Sequence, residues 1–118
     1  MSLANERTID IEIGPTRHAR CTLLIVDGDK HADEVERVQL FVAKLKHYVG
    51  FILSDAFAAS HPSVSPGEVL IGVVCQQPPS EQMLAVTEVV PRGRPDAKIR
   101  VATAHCSLPS DMPWFVSG

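Results

Sequence analysis

Val69-Leu70-Ile71-Gly72-Val73-Val74-Cys75 is a run without a single charged side chain. A strand with one wet face alternates apolar and polar residues, so a continuous apolar run reads as a strand covered on both faces. A second run, Leu23-Leu24-Ile25-Val26, lies upstream in a strand expected over residues 19–26, closed by the turn chemistry of Asp27-Gly28-Asp29. Between the two, from about Ala32 to Ala59, the period changes. Val35, Val38, Phe41, Val42, Leu45, Tyr48, Val49, Ile52 and Leu53 recur at three- and four-residue steps, while Glu34, Glu36, Arg37, Lys44, Lys46 and His47 fall mostly elsewhere on the wheel. One long helix is predicted, capped by Asp29 or a neighbour, with Asp33 and Glu34 at its positive end. It ends before His61-Pro62, because a residue preceding proline is pushed out of the α region. Its expected length is about 40 Å.

Outward from this centre, Thr8 to Ile13 reads T-I-D-I-E-I, with Ile9, Ile11 and Ile13 on one side and Thr8, Asp10 and Glu12 on the other. Such alternation marks a strand buried on one face. Gly14 to His18 forms a hairpin loop to the next strand, and Ser63 to Gly67 a loop before the Val69 run. Gln77-Pro78-Pro79-Ser80-Glu81 starts a short helix from about Ser80 to Val90, which Pro91 closes. Lys98 to His105 alternates again, Ile99, Val101 and Thr103 on one side. The order is β-β-α-β-α-β. The alternating strands belong at the sheet edges and the continuous runs in the middle. Right-handed crossovers place one long and one short helix on the same face. The predicted fold is α/β, an α+β two-layer sandwich on a mixed four-stranded sheet. The chain is expected to be one domain, 1–118, with residues 1–7 disordered or an expression-derived extension and 107–118 a C-terminal tail. Trp114-Phe115-Val116 in that tail is expected to pack, on its own domain or across a dimer, since an exposed patch of this kind is usually covered.

Lys44-Leu45-Lys46-His47-Tyr48-Val49-Gly50-Phe51-Ile52, set between a strand ending in an acidic turn and a Pro/Gly loop leading to an I-x-V strand, resembles a group of small bacterial proteins of unknown function. In that group a strand pair is followed by a K-L-x-x-Y-x-x-F-like helix, a strand, a helix beginning near Pro-Pro-Ser and a final strand. Lys44, Leu45, Tyr48 and Phe51 match at that spacing, and the resemblance covers roughly Arg20 to Thr103. It implies the strand and helix order but no activity.

Composition narrows the function classes. The chain has 118 residues, 45% hydrophobic and 21% charged, with no apolar run of the ~18 residues a membrane span needs. A net charge of −3 with one Trp, one Tyr and four Phe argues against nucleic acid as a partner. Residues 1–7 lack a signal-peptide pattern, and three cysteines without C-x-x-C suit a reducing compartment, so a cytoplasmic location is expected.

Candidate constellations read mainly as structure. Asp27-x-Asp29-x-His31-x-Asp33 begins like a calcium loop, but Ala32 stands where the loop needs glycine and Val38 where it needs the bidentate glutamate. His18, His31, His47, His61 and His105 include no zinc-site spacing, and Cys75 reads as a small core hydrophobe. Cys21 near His18, and Cys106 near His31 or His61, are the conceivable nucleophile pairs. Arg92, Arg94, Lys98 and Arg100 surround Asp96 in a stretch that reads as a solvated loop and edge strand. No catalytic, cofactor-binding or metal residue is assigned, and no cofactor is expected. Helices on one face only would leave the second faces of the central strands bare, so a homodimer is expected. The first expectation is a cytoplasmic homodimeric interaction or accessory protein with an unknown protein partner, without catalytic signature. The alternative is a small enzyme or ligand binder using a His/Cys-containing pocket at the dimer seam.

Overall fold

The structure is a computed structural model that describes residues 11–15, 19–27, 33–75, 77–92 and 98–105. The apolar run at its centre forms β3 (Val69–Cys75), buried along its whole length, and the upstream run forms β2 (Cys21–Asp27), equally buried. They pair in parallel, Leu23 opposite Ile71 and Ile25 opposite Val73. Parallel neighbours need a crossover, and α1 (Glu34–Ile52) supplies most of it. The edges are β1 (Ile11–Ile13), antiparallel to β2, and β4 (Arg100–His105), parallel to β3, giving a mixed sheet in the order β1-β2-β3-β4. The alternating strands are at the edges and the apolar runs inside, as the patterning dictates. Residues 8–10 of the first predicted strand and Trp114-Phe115-Val116 lie outside the described residues.

The helix layer departs from expectation at one point. The long predicted helix is two: α1 stops at Ile52, and α2 (Asp55–Ser60) follows after Leu53-Ser54. Ser54 causes the break. Its hydroxyl donates to Phe51 O at 2.6 Å at the end of α1, and the same oxygen accepts from Phe57 N at 3.2 Å as the cap of α2. Serine side chains that bond locally to the backbone favour such ends over helix interiors. At 1.5 Å per residue α1 is about 28 Å long, closer to the roughly 23 Å of a seven-residue strand than a 40 Å helix would be. The cap of α1 is Asp33, whose carboxylate accepts from Val35 N at 3.0 Å. The last helix, α3 (Glu81–Arg92), is capped by Ser80, which accepts from Met83 N at 3.2 Å, and runs on through Pro91 to Arg92.

Two cations expected on the wet side of α1 are in fact buried. Arg37, Phe41, Lys44, Leu45, Tyr48 and Ile52 form one stripe against the sheet, and Lys44 has no exposed area. Three members of the family-like motif, Lys44, Leu45 and Tyr48, are thus core positions. Tyr48 also donates its hydroxyl hydrogen to Leu24 O across the layers. With Leu23, Ile25, Phe57, Ile71, Val73 and Met83 this stripe makes the main core. Leu45→Ala should therefore lower stability by about 2–5 kcal/mol, the range for emptying a packed aliphatic site. Urea denaturation measures it, and a loss below about 0.5 kcal/mol would place Leu45 off the core face.

The opposite sheet face holds a smaller cluster of Ala19, Leu24, Leu70 and Val74, against which Ile13, Ala102 and Ala104 pack. Leu24 and Val74 are at most 2% exposed in the single chain. At these positions the second face of the sheet is covered in the single chain, not bare as the patterning led one to expect.

Candidate functional site

In open α/β sheets ligands commonly bind beyond the carboxyl ends of parallel strands. Here the carboxyl end of β2 is taken up by an ion pair. Asp27 ends β2, and Arg37 reaches it from the first turns of α1, Nε and Nη2 each 2.9 Å from Oδ2. Nη1 and Nη2 also donate to Pro78 O at 3.1 Å and Gln77 O at 3.0 Å in the segment before α3, and Nη1 lies 3.8 Å from Glu34. Asp27, read in the sequence as part of a turn, is thus a buried structural carboxylate.

The chemistry-bearing cluster lies at the other end of β2. Glu12 is the middle residue of β1 and stands opposite Leu23, so Cys21, two residues earlier on β2, is its diagonal neighbour on the same face. Ile13 packs on the second sheet face, which turns Glu12 toward the helix layer. His61 arrives from that layer as the residue that ends α2, its ring stacked on Phe57 with centroids 4.4 Å apart and planes at 15°. The ligand atoms of Glu12, Cys21 and His61 all lie within 4.8 Å of one another.

The hydrogen-bond pattern orients the imidazole. Ser60 Oγ lies 3.0 Å from Ala56 O and 3.2 Å from Phe57 O, two carbonyls that can take its hydroxyl hydrogen. The same Oγ lies 2.9 Å from His61 Nδ1, which leaves Nε2 directed at Glu12 Oε1. A carboxylate only accepts, so that contact needs a proton or a cation between nitrogen and oxygen. The same Oε1 also receives the Cys21 thiol, Sγ–H to oxygen at 3.6 Å. Burial pushes the Cys21 thiol up to about 12, and the charge and hydrogen bond of Glu12 add to it. Such a thiol carries almost no thiolate at neutral pH, which argues against Cys21 as a nucleophile. The thiol also bonds to a carboxylate rather than to the imidazole that a cysteine–histidine pair requires.

A cleft of about 450 Å³ opens beside the cluster, lined among others by Glu12, Arg20, Cys21, His61, Ser63 and Val64. Arg20 on its rim pairs with Glu68 at 3.3 Å. Ser65 N and Oγ both donate to the Glu68 carboxylate at 3.0 Å, and these bonds hold its carboxyl below the ordinary range.

The nucleophile pairs conceivable from the sequence, Cys21 with His18 and Cys106 with His31 or His61, each include a residue outside the described ones, since His18, His31 and Cys106 all lie there. The structure instead brings Cys21 and His61 to a shared carboxylate, Glu12. Arg94 of the basic stretch is also outside the described residues. Of the rest of that stretch, Arg92 pairs with Glu88 at 4.0 Å, and Lys98 and Arg100 are exposed. Cys75 is buried in the main core, as expected. Glu12 attracted no notice in the sequence, where it is only the polar half of an alternating strand, 49 positions from His61. Its one signal was the hairpin itself, which brings Glu12 beside Cys21 once the register is known.

Neither a curated protein nor a solved structure matches the chain. A family model does, over residues 1–106, in keeping with the resemblance that the helix motif carries. The chain belongs to the family of unknown function DUF6572.

Proposed function

We propose that this is a small binding protein of the bacterial cytoplasm that holds a small polar molecule in the cleft beside Glu12, Cys21 and His61. The cleft carries this reading: Val64, Pro15 and Pro62 give it apolar lining, and Glu12, Arg20 and His61 supply polar contacts at its edge. A largely apolar concavity with a few convergent polar groups is the usual form of a small-ligand site. The protonated, carboxylate-bound thiol supports binding rather than covalent catalysis. Cys21 and Cys75 are buried thiols outside any disulfide, which suits a reducing compartment, and no helix among the described residues is long and apolar enough to cross a membrane.

A second reading, a homodimeric accessory protein, has its own support. The helix layer exposes Val35, Leu84 and Val89, the first and last by more than 60%, and a dimple of about 180 Å³ lies between α1 and α3 at Val35, Val38 and Gln82. A dimer would form through this face and not through the sheet. Native mass spectrometry separates the readings. The cleft reading expects an organic adduct on the 12.8 kDa chain, lost on denaturation and absent when Val64→Trp fills the cleft. A bare dimer that Val89→Asp converts to monomer would favour the second reading, and an adduct untouched by Val64→Trp would remove the cleft from consideration.

A further inference from the structure

We propose that Glu12, Cys21 and His61 bind a divalent transition-metal ion, zinc foremost, through one oxygen, one sulfur and one nitrogen, with a fourth position open to the cleft. The proposal deepens the cleft reading and rests on it only for the fourth ligand.

Spacing is the first support. Tetrahedral zinc with a sulfur at about 2.3 Å and an oxygen at about 2.1 Å sets those two ligands about 3.6 Å apart. Cys21 Sγ and Glu12 Oε1 are 3.6 Å apart across the strand pair. The third ligand atom, His61 Nε2, lies within 4.8 Å of both but touches Glu12 Oε1 directly, so the half-exposed carboxylate must turn to admit an ion; the spacing places the three donors within reach of one ion rather than at finished coordination distances. The donor set is the second. A thiolate, an imidazole and one carboxylate suit zinc and its neighbours in the transition series, whereas magnesium and calcium take oxygen shells. On binding, the ion would displace the Cys21 thiol proton to solvent, and the resulting thiolate with one carboxylate balances the charge of a divalent ion.

The surroundings of the histidine are the third. Ligating histidines almost always give their second nitrogen's hydrogen to a partner that fixes tautomer and orientation. Ser60 Oγ stands 2.9 Å from Nδ1 in the place of that partner, with α2 carbonyls beside it to take its own hydroxyl hydrogen. Stacking on Phe57 fixes the ring plane. The ligands come from β1, β2 and the end of α2, so an ion would tie the sheet edge to the helix layer. Three protein ligands and one open position is the arrangement of a reactive or ligand-exchanging zinc site rather than a closed structural one.

The test uses the full chain, stripped with a chelator and dialysed, then titrated separately with Zn²⁺ and Co²⁺. One zinc per chain is expected by native mass spectrometry, and Co²⁺ should give a near-ultraviolet sulfur-to-cobalt charge-transfer band. Cys21→Ser should abolish that band, while Cys75→Ser, whose sulfur lies in the core, should keep it. Ser60→Ala should weaken zinc binding by roughly 10–100-fold, the usual effect of removing an outer partner of a ligating histidine, and Glu12→Gln and His61→Ala by more. Glu12 is exposed, so Glu12→Gln tests the site even if Cys21→Ser fails to fold. Zinc bound equally by the parent chain and Glu12→Gln, or cobalt bound without the band, would overturn the proposal. Zinc without an organic adduct would sustain the site and count against the cleft reading; an adduct without zinc would do the reverse.

Discussion

Replacing Arg37 by alanine is expected to lower the unfolding free energy by about 3–5 kcal/mol, the cost of breaking a buried ion pair from one side. The guanidinium is enclosed, and the Asp27 side chain it contacts is 1% exposed. Alanine removes the cation facing that carboxylate and the donors serving the Gln77 and Pro78 carbonyls. Arg37→Met keeps most of the stem's volume but none of the hydrogen bonds, so its loss should be nearly as large. The informative variant is the double Asp27→Leu, Arg37→Met. Replacing both charges by apolar groups of similar size is often neutral or stabilising, so it should recover most of the loss. Chemical denaturation of the parent chain, the two single variants and the double variant measures the coupling. Additive losses in the double variant would mean that Arg37 acts through packing and not through Asp27.

That pair also explains where the candidate site is. Arg37 ties the carboxyl end of β2 to α1 and to the segment entering α3, in the crevice that such sheets commonly offer to ligands. The polar groups left for chemistry gather at the amino end of β2, where the hairpin and the end of α2 meet.

The difference between what the sequence shows and what it hides follows from the range of the forces involved. Apolar runs and alternation report how many faces of a strand are covered, and Leu23–Val26, Val69–Cys75 and Ile99–Thr103 all went where that patterning puts them. The helix start at Ser80 and the helix end before His61 are local chemistry, legible from neighbours. Ser54 was equally local but stood within an apolar period that continued across it, and the stronger pattern hid the weaker one. Lys44 and Arg37 mislead for another reason. Periodicity assigns cations to water, and it is the tertiary partners of Arg37, Asp27 with the Gln77 and Pro78 carbonyls, that make its burial tolerable. The Glu12–Cys21–His61 cluster was illegible because it joins three elements at separations of 9 and 49 residues, and no periodicity encodes a diagonal across a hairpin.

Phe57→Ala is expected to cost about 3–5 kcal/mol, and unlike a plain core truncation it should disturb the candidate site as well. Phe57 is the one buried residue of α2, a helix of six residues that is far too short to hold itself together in water. Its ring meets Phe51 edge-on at 5.5 Å and His61 face-on at 4.4 Å, so removing it leaves a cavity and loses both aromatic contacts. With the ring gone, α2 loses its attachment to the core, and Ser60 and His61 lose their fixed positions together. Amide hydrogen exchange should then quicken at residues 55–61 more than in β3, since α2 can open without the sheet. Phe57→Leu separates the two roles. It refills most of the volume, so its stability loss should be about 1–2 kcal/mol, yet it offers no flat face to the imidazole. Zinc binding in Phe57→Leu should therefore weaken well beyond what its fold stability suggests. Equal zinc affinity in Phe57→Leu and the parent chain, with α2 exchange unchanged, would show that Ser60 alone positions His61 and that the stacked ring serves only the core.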